Sequence, residues 1–167
     1  VRSAPAITGA ATATAFTTTY GTASATQSFS ISGSNLTANL VATAPTGYEV
    51  SADGVTYGST ASFTQTGGTA SGTLRIRLSS TASVGGSYNS QNIVLSSTDA
   101  TSVNITTAST GNTITAKALT ITSAAASNKS YNGNNTATIT GTLSGIVNSD
   151  VVSLNGTGTF ASINVGT

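Results

Sequence analysis

Thr73-Leu74-Arg75-Ile76-Arg77-Leu78 decides how this chain is read. Leu74, Ile76 and Leu78 recur at every second position, and the two arginines fall between them. Successive side chains of a strand point to opposite faces, so a period of two puts three apolar groups on one side and two charges on the other. The segment therefore reads as a half-buried strand. Similar short runs flank it on both sides: Phe29 and Ile31 within Ser28-Phe29-Ser30-Ile31-Ser32, the alternating Leu36, Ala38, Leu40 and Ala42, then Ile93-Val94-Leu95 and Val103-Asn104-Ile105. Leu74, Ile76, Leu78, Ile93, Leu95, Val103 and Ile105 are expected to line one core. Turn residues separate the runs. Asp53-Gly54, between Tyr48-Glu49-Val50 and Val55-Thr56-Tyr57, predicts a type I′ hairpin. Gly67-Gly68 separates Phe63-Thr64-Gln65 from the Leu74 strand, and Gly85-Gly86 precedes the Ile93 strand. No stretch keeps a helical period. About seven to nine short strands between residues 4 and 116 predict an all-β sandwich of immunoglobulin-like size.

Composition narrows the function classes. The 167 residues include 34 Thr and 26 Ser, but only five cations and four anions, with no His and no Cys. A typical soluble domain is roughly a quarter charged; this chain is 5% charged. Catalysis relies on His, Cys, carboxylates and Lys to move protons or attack carbon, so the chain is expected not to be an enzyme and to need no cofactor. The carboxylates Glu49, Asp53, Asp99 and Asp150 are scattered along the chain, so no metal site is expected. Arg75 and Arg77 are the only close basic pair, which argues against nucleic acid as a partner. No apolar run reaches the ~18 residues of a membrane-spanning helix, so no membrane insertion is expected. Lys117 and Lys129 are the candidates for a Ser-Lys pair or a Lys–Asn isopeptide staple. The plainer reading makes them solvated lysines. Hydroxyl groups, or glycans on them, are left to supply the solubility that charge normally provides.

Ile114-Thr115-Ala116-Lys117-Ala118-Leu119-Thr120-Ile121-Thr122 reads as one continuous strand with no Gly- or Pro-rich linker, and predicts a stiff junction near Lys117. Beyond it lie Ala118-Leu119-Thr120-Ile121-Thr122, Lys129-Ser130-Tyr131-Asn132-Gly133, Gly141-Thr142-Leu143-Ser144-Gly145 and Asn164-Val165-Gly166-Thr167. In that order they resemble the start of the YDG or MBG repeat of bacterial adhesins, with Tyr131-Asn132-Gly133 where members carry Tyr-Asp-Gly. Three stretches of the first part resemble the immunoglobulin-like repeats of giant Bacteroidota surface proteins, including gliding-motility adhesins. They are Phe16-Thr17-Thr18-Thr19-Tyr20-Gly21-Thr22, Ala44-Pro45-Thr46-Gly47-Tyr48-Glu49-Val50-Ser51, and Gly86-Ser87-Tyr88-Asn89 leading into Ile93-Val94-Leu95-Ser96-Ser97.

These resemblances imply tandem immunoglobulin-like β-sandwich modules, 1–116 and 117–167, the second incomplete. They imply a bacterial cell-surface location, with export by the type IX system. The expected role is a non-catalytic segment of a long adhesin or filament, a stiff spacer whose partners are neighbouring repeats, surface glycans or other surface proteins. The alternative is a carbohydrate-binding module that stacks sugars on exposed tyrosines, with Tyr20, Tyr48, Tyr57 and Tyr88 as candidate contacts. The apolar set available to the second module is Leu119, Ile121, Ile139, Leu143, Val151, Leu154, Phe160 and Ile163. That is thin for a core without disulfide or metal.

Overall fold

The computed structural model describes residues 3–164, and every regular element among them is a strand. The chain divides into two units, 1–116 and 117–167. In the first unit the strands are β1 (Ala6–Thr8), β2 (Ala11–Thr12), β3 (Thr17–Thr19), β4 (Gln27–Ser34), β5 (Leu40–Thr43), β6 (Tyr48–Ser51), β7 (Thr60–Phe63), β8 (Ala70–Leu78), β9 (Asn92–Ser96), β10 (Val103–Thr106) and β11 (Thr113–Thr115). This count exceeds the seven to nine expected because β2, β3 and β11 are fragments too short to show a period in sequence.

One sheet runs β1-β4-β8-β6 and a second runs β2-β10-β9-β5-β7, while β11 and β3 form a two-stranded parallel pair. Both large sheets contribute to a single core. Leu74, Ile76 and Leu78 of β8 and Val50 of β6 are fully buried, as are Leu40, Ala42, Ile93, Leu95 and Ile105 of the opposite sheet. Arg75 and Arg77 lie on the outer side of β8 and are partly exposed, so the register read from the alternation holds. Val103 is only partly buried, because it opens β10 beside the surface turn after β9. The wider Leu36–Ala42 alternation is not one strand. Leu36 is buried in the turn after β4, where its N–H donates to the Gly68 carbonyl, and pairing begins at Leu40.

Two turn signals come out differently. Gly67 and Gly68 have φ of 59° and 85°, and Thr66 and Thr69 exchange backbone hydrogen bonds around them. Positive φ at both central positions is what a type I′ turn requires, and glycine supplies it without a steric cost. The turn carries the chain from one sheet to the other. Asp53-Gly54, in contrast, does not join a hairpin. Tyr48–Ser51 pairs with β8, and residues 52–59 loop out and return through a single bridge, Val50 to Gly58. Asp53 Oδ1 accepts from the N–H groups of Val55 and Thr56, so this local turn takes donors that a hairpin ladder would need.

The second unit has one sheet, β12 (Thr120–Ala126), β13 (Thr136–Ser144) and β14 (Thr157–Thr159), in that order and antiparallel. The expected continuous strand from Ile114 to Thr122 is broken, since residues 116–119 carry no strand between β11 and β12. Val151–Leu154 forms no strand either. Of the apolar set available to this unit, Ile139, Leu143, Leu154 and Phe160 are partly buried, while Leu119, Ile121, Val151 and Ile163 are exposed. Ala137 is this unit's buried hydrophobic residue among those described. Val165, Gly166 and Thr167 of the last quoted motif lie outside the described residues.

Candidate functional site

The four tyrosines singled out from the sequence sit in three different settings. Tyr48 and Tyr88 belong to the core. Tyr48 lies edge-on between Phe16 and Tyr88, at centroid distances of 5.4 and 6.1 Å. Its hydroxyl donates to the Tyr88 carbonyl at 2.9 Å, and the buried Thr107 hydroxyl donates to the same oxygen at 2.9 Å. Burial pushes the Tyr48 phenol up to about 12, against the opposing pull of the Thr107 hydroxyl and with Tyr88 adding to the rise. The Tyr88 hydroxyl donates to the Ser83 carbonyl at 2.6 Å. A Cβ on Gly47 would stand 2.3 Å from the Tyr88 ring, so a side chain there would displace the ring. Both phenols are therefore spent inside the unit, and neither ring is the exposed platform that sugar stacking needs. Tyr20 is partly buried against the core, near the β3–β11 pair.

Tyr57 lies in the 52–59 loop, within a small polar cluster. The Arg77 guanidinium stacks on its ring, 3.6 Å from the centroid, and donates from Nε to Glu49 Oε1 at 2.6 Å. The Tyr57 and Thr26 hydroxyls are 3.1 Å apart. Arg75 donates to the Ala52 carbonyl at 3.2 Å, and Asp53 Oδ1 accepts from the Ser51 hydroxyl and from the N–H groups of Val55 and Thr56, each at 2.8 Å. The Val55 and Thr56 N–H groups and the Ser51 hydroxyl hold the Asp53 carboxyl down at about 2. Four of the chain's charges thus serve to pin one loop to the outer face of β8. Among the described residues no three Asp or Glu side chains converge.

The first unit is also tied end to end. Asn112, buried between β10 and β11, accepts from the Phe16 N–H at 2.9 Å and donates to Asn89 Oδ1 and the Ala108 carbonyl. The Ala13 N–H donates to the Thr106 carbonyl, Thr113 N–H to Phe16, and Tyr20 N–H to Thr115. Every buried side-chain nitrogen and oxygen among the described residues has a hydrogen-bond partner.

The tyrosine that sequence reading passed over is the exposed one. Tyr131 is 67% accessible and borders a cleft of about 530 Å³ in the second unit, together with Asn128, Lys129, Asn134, Phe160 and Ile163. Its neighbours Asn132-Gly133-Asn134-Asn135 place it in a loop, and that was the available signal for exposure. Lys129 Nζ donates to Asn132 Oδ1 at 2.9 Å and also to Asn134 Oδ1. Lys129 is exposed and its partners are amide oxygens, which is not the buried Lys with a catalytic acid that an isopeptide bond needs. Among the described residues no helix is long and apolar enough to cross a membrane.

Sheets built from hydroxyl-bearing strands, with no helix among the described residues, define an all-β, sandwich-like protein. Residues 115–167 match the YDG domain, which supports reading the second unit as a YDG-type repeat. The comparison with curated proteins finds no match, and neither does the comparison with solved structures.

Proposed function

We propose that the chain is a load-bearing spacer segment of a long bacterial surface adhesin, built of a sandwich unit followed by a YDG-type repeat and working without catalysis. One observation carries the mechanical part. The terminal segments of the first unit pair in parallel, β2 with β10 and β3 with β11. In a parallel pair pulled from the N-terminal end of one strand and the C-terminal end of the other, all the cross-strand hydrogen bonds resist together. In a hairpin they open one at a time. Asn112 adds a buried side-chain tie across the same seam. The order β1-β4-β8-β6 opposite β10-β9-β5 supports the immunoglobulin-like reading, in which a four-stranded sheet faces a three-stranded one. β7 departs from it, lying next to β5 although it follows β6 in the chain. The repeat match and the near-absence of charge support the surface setting. Gliding-type adhesins exported by the type IX system are the proposed context, and neighbouring repeats the proposed partners.

Single-molecule pulling tests the reading, and the Cys-free chain accepts unique thiol handles. Force applied across the ends of the first unit is expected to unfold it at distinctly higher load than force applied through Asn92→Cys and Thr106→Cys, which face each other across the antiparallel β9–β10 pair. Equal or lower end-to-end resistance would remove the load-bearing role. The alternative, a carbohydrate module using the four tyrosines of the first unit, loses Tyr48 and Tyr88 to the core.

A further inference from the structure

We propose that the Tyr131 cleft of the YDG-type repeat is a binding site for a saccharide that carries a carboxylate. Three features converge there. The Tyr131 ring is largely free, and Phe160 and Ile163 line the same cleft. Such a surface takes the C–H face of a pyranose ring, and small-molecule sites combine apolar walls of this kind with a few fixed polar groups.

The polar groups are fixed by the loop itself. Asn132 Oδ1 accepts from Lys129 Nζ and from the Asn134 N–H, and Asn134 Oδ1 accepts from Lys129 Nζ and from the Thr136 N–H at 3.1 Å. The opposite wall is anchored to the same loop, since Phe160 N–H donates to the Asn135 carbonyl at 2.7 Å. An ammonium has three donors, so these two amide oxygens leave one for a ligand. The side-chain amide of Asn134 accepts through its oxygen, which leaves its NH₂ to donate to a hydroxyl.

Charge chooses the class of sugar. Among the described residues Lys129 is the one cation lining the cleft, and its two amide partners solvate its charge without cancelling it. A cation held in place in this way attracts an anion and disfavours a protonated amino sugar. The ligand that uses ring stacking, hydroxyl recognition and the third ammonium proton together is a uronic-acid saccharide.

The full chain, labelled with ¹⁵N and titrated with trigalacturonate and with neutral cellotriose, tests the site. Trigalacturonate is expected to shift amide signals of residues 128–134 and 160–163 saturably, and to bind about tenfold more tightly than cellotriose, the order expected of one charge-assisted contact. Tyr131→Ala should weaken both ligands by about tenfold or more, as loss of a stacking aromatic does, and Tyr57→Ala should leave both unchanged. Lys129→Gln should remove the preference for the acid, and Lys129→Arg should restore it. Unshifted signals in those segments, equal binding of the two sugars, or full binding by Tyr131→Ala would each overturn the proposal.

Discussion

Leu74-Arg75-Ile76 of β8 and Leu119-Thr120-Ile121, which leads into β12, alternate alike and meet different fates. In Thr73–Leu78 the apolar residues are wholly buried; in Thr120-Ile121-Thr122 the isoleucine is 44% accessible. Alternation fixes which residues share a face, but a second layer decides whether that face leaves water. The first unit supplies the layer: the inward row of β8 packs with Leu40, Ile93, Leu95 and Ile105 from the facing sheet. Among the described residues the second unit has a single three-stranded sheet, and Val151, which belongs to no strand, is fully exposed. Thr and Ser enrich both units, so the difference lies in layering.

The sharpest way to break this contrast is to isolate the second unit. A peptide of residues 117–167 is expected to melt broadly and far below the first unit by circular dichroism, since a core of this size is marginal without staples. A sharp transition in the monomeric peptide would show that one sheet suffices. Next in size, Leu74→Ala in the full chain should cost about 2–5 kcal/mol, read as a lowered urea midpoint with unchanged slope. Asn112→Ala should cost roughly 1–3 kcal/mol by leaving the Phe16 N–H without its partner, and the same denaturation experiment measures it.

A smaller effect concerns pH. The Tyr48 phenol is raised to about 12 in the fold, while an unfolded tyrosine ionises near 10. Above that lower value the unfolded chain gives up its proton first, so the contribution is whole below pH ~10 and drains away as pH rises through the folded value. Melting temperature should fall across that window, and Tyr48→Phe should flatten the fall. The smallest effect is expected at Ile121→Ala, within about 0.5 kcal/mol as for a surface position. A loss as large as that of Leu74→Ala would mean that the β12 face is covered in solution.

How far the sequence disclosed this structure follows from the same contrast. The β8 register and the Gly67-Gly68 turn were legible, because each depends on neighbours in the chain. Asp53-Gly54 misled because the Asp53 carboxylate takes the Val55 and Thr56 N–H groups into a local turn, and residues 52–59 loop out in place of a hairpin. The burial of Tyr48 and Tyr88 was hidden by the chemistry of tyrosine, whose ring suits a core and whose hydroxyl suits water. Tyr131 was overlooked as a contact although its Asn- and Gly-rich flanks marked an exposed loop. The cleft itself was out of reach, since it joins residues 128–134 to 160–163, distant in sequence and brought together by the β13–β14 pairing.

The place of β8 inside its sheet also governs how the protein meets proteases that cut after basic residues. Arg75 and Arg77 are the two such positions in the described part of the first unit, and β8 is hydrogen-bonded to β4 on one side and β6 on the other. A protease must draw several residues into an extended cleft, which here means dismantling the sheet, so cleavage waits on global unfolding. Lys117 and Lys129 stand exposed outside any strand. Digestion should therefore nick the chain from Lys117 onward and leave the sandwich whole, so that a trimmed protein keeps the unit proposed to carry load.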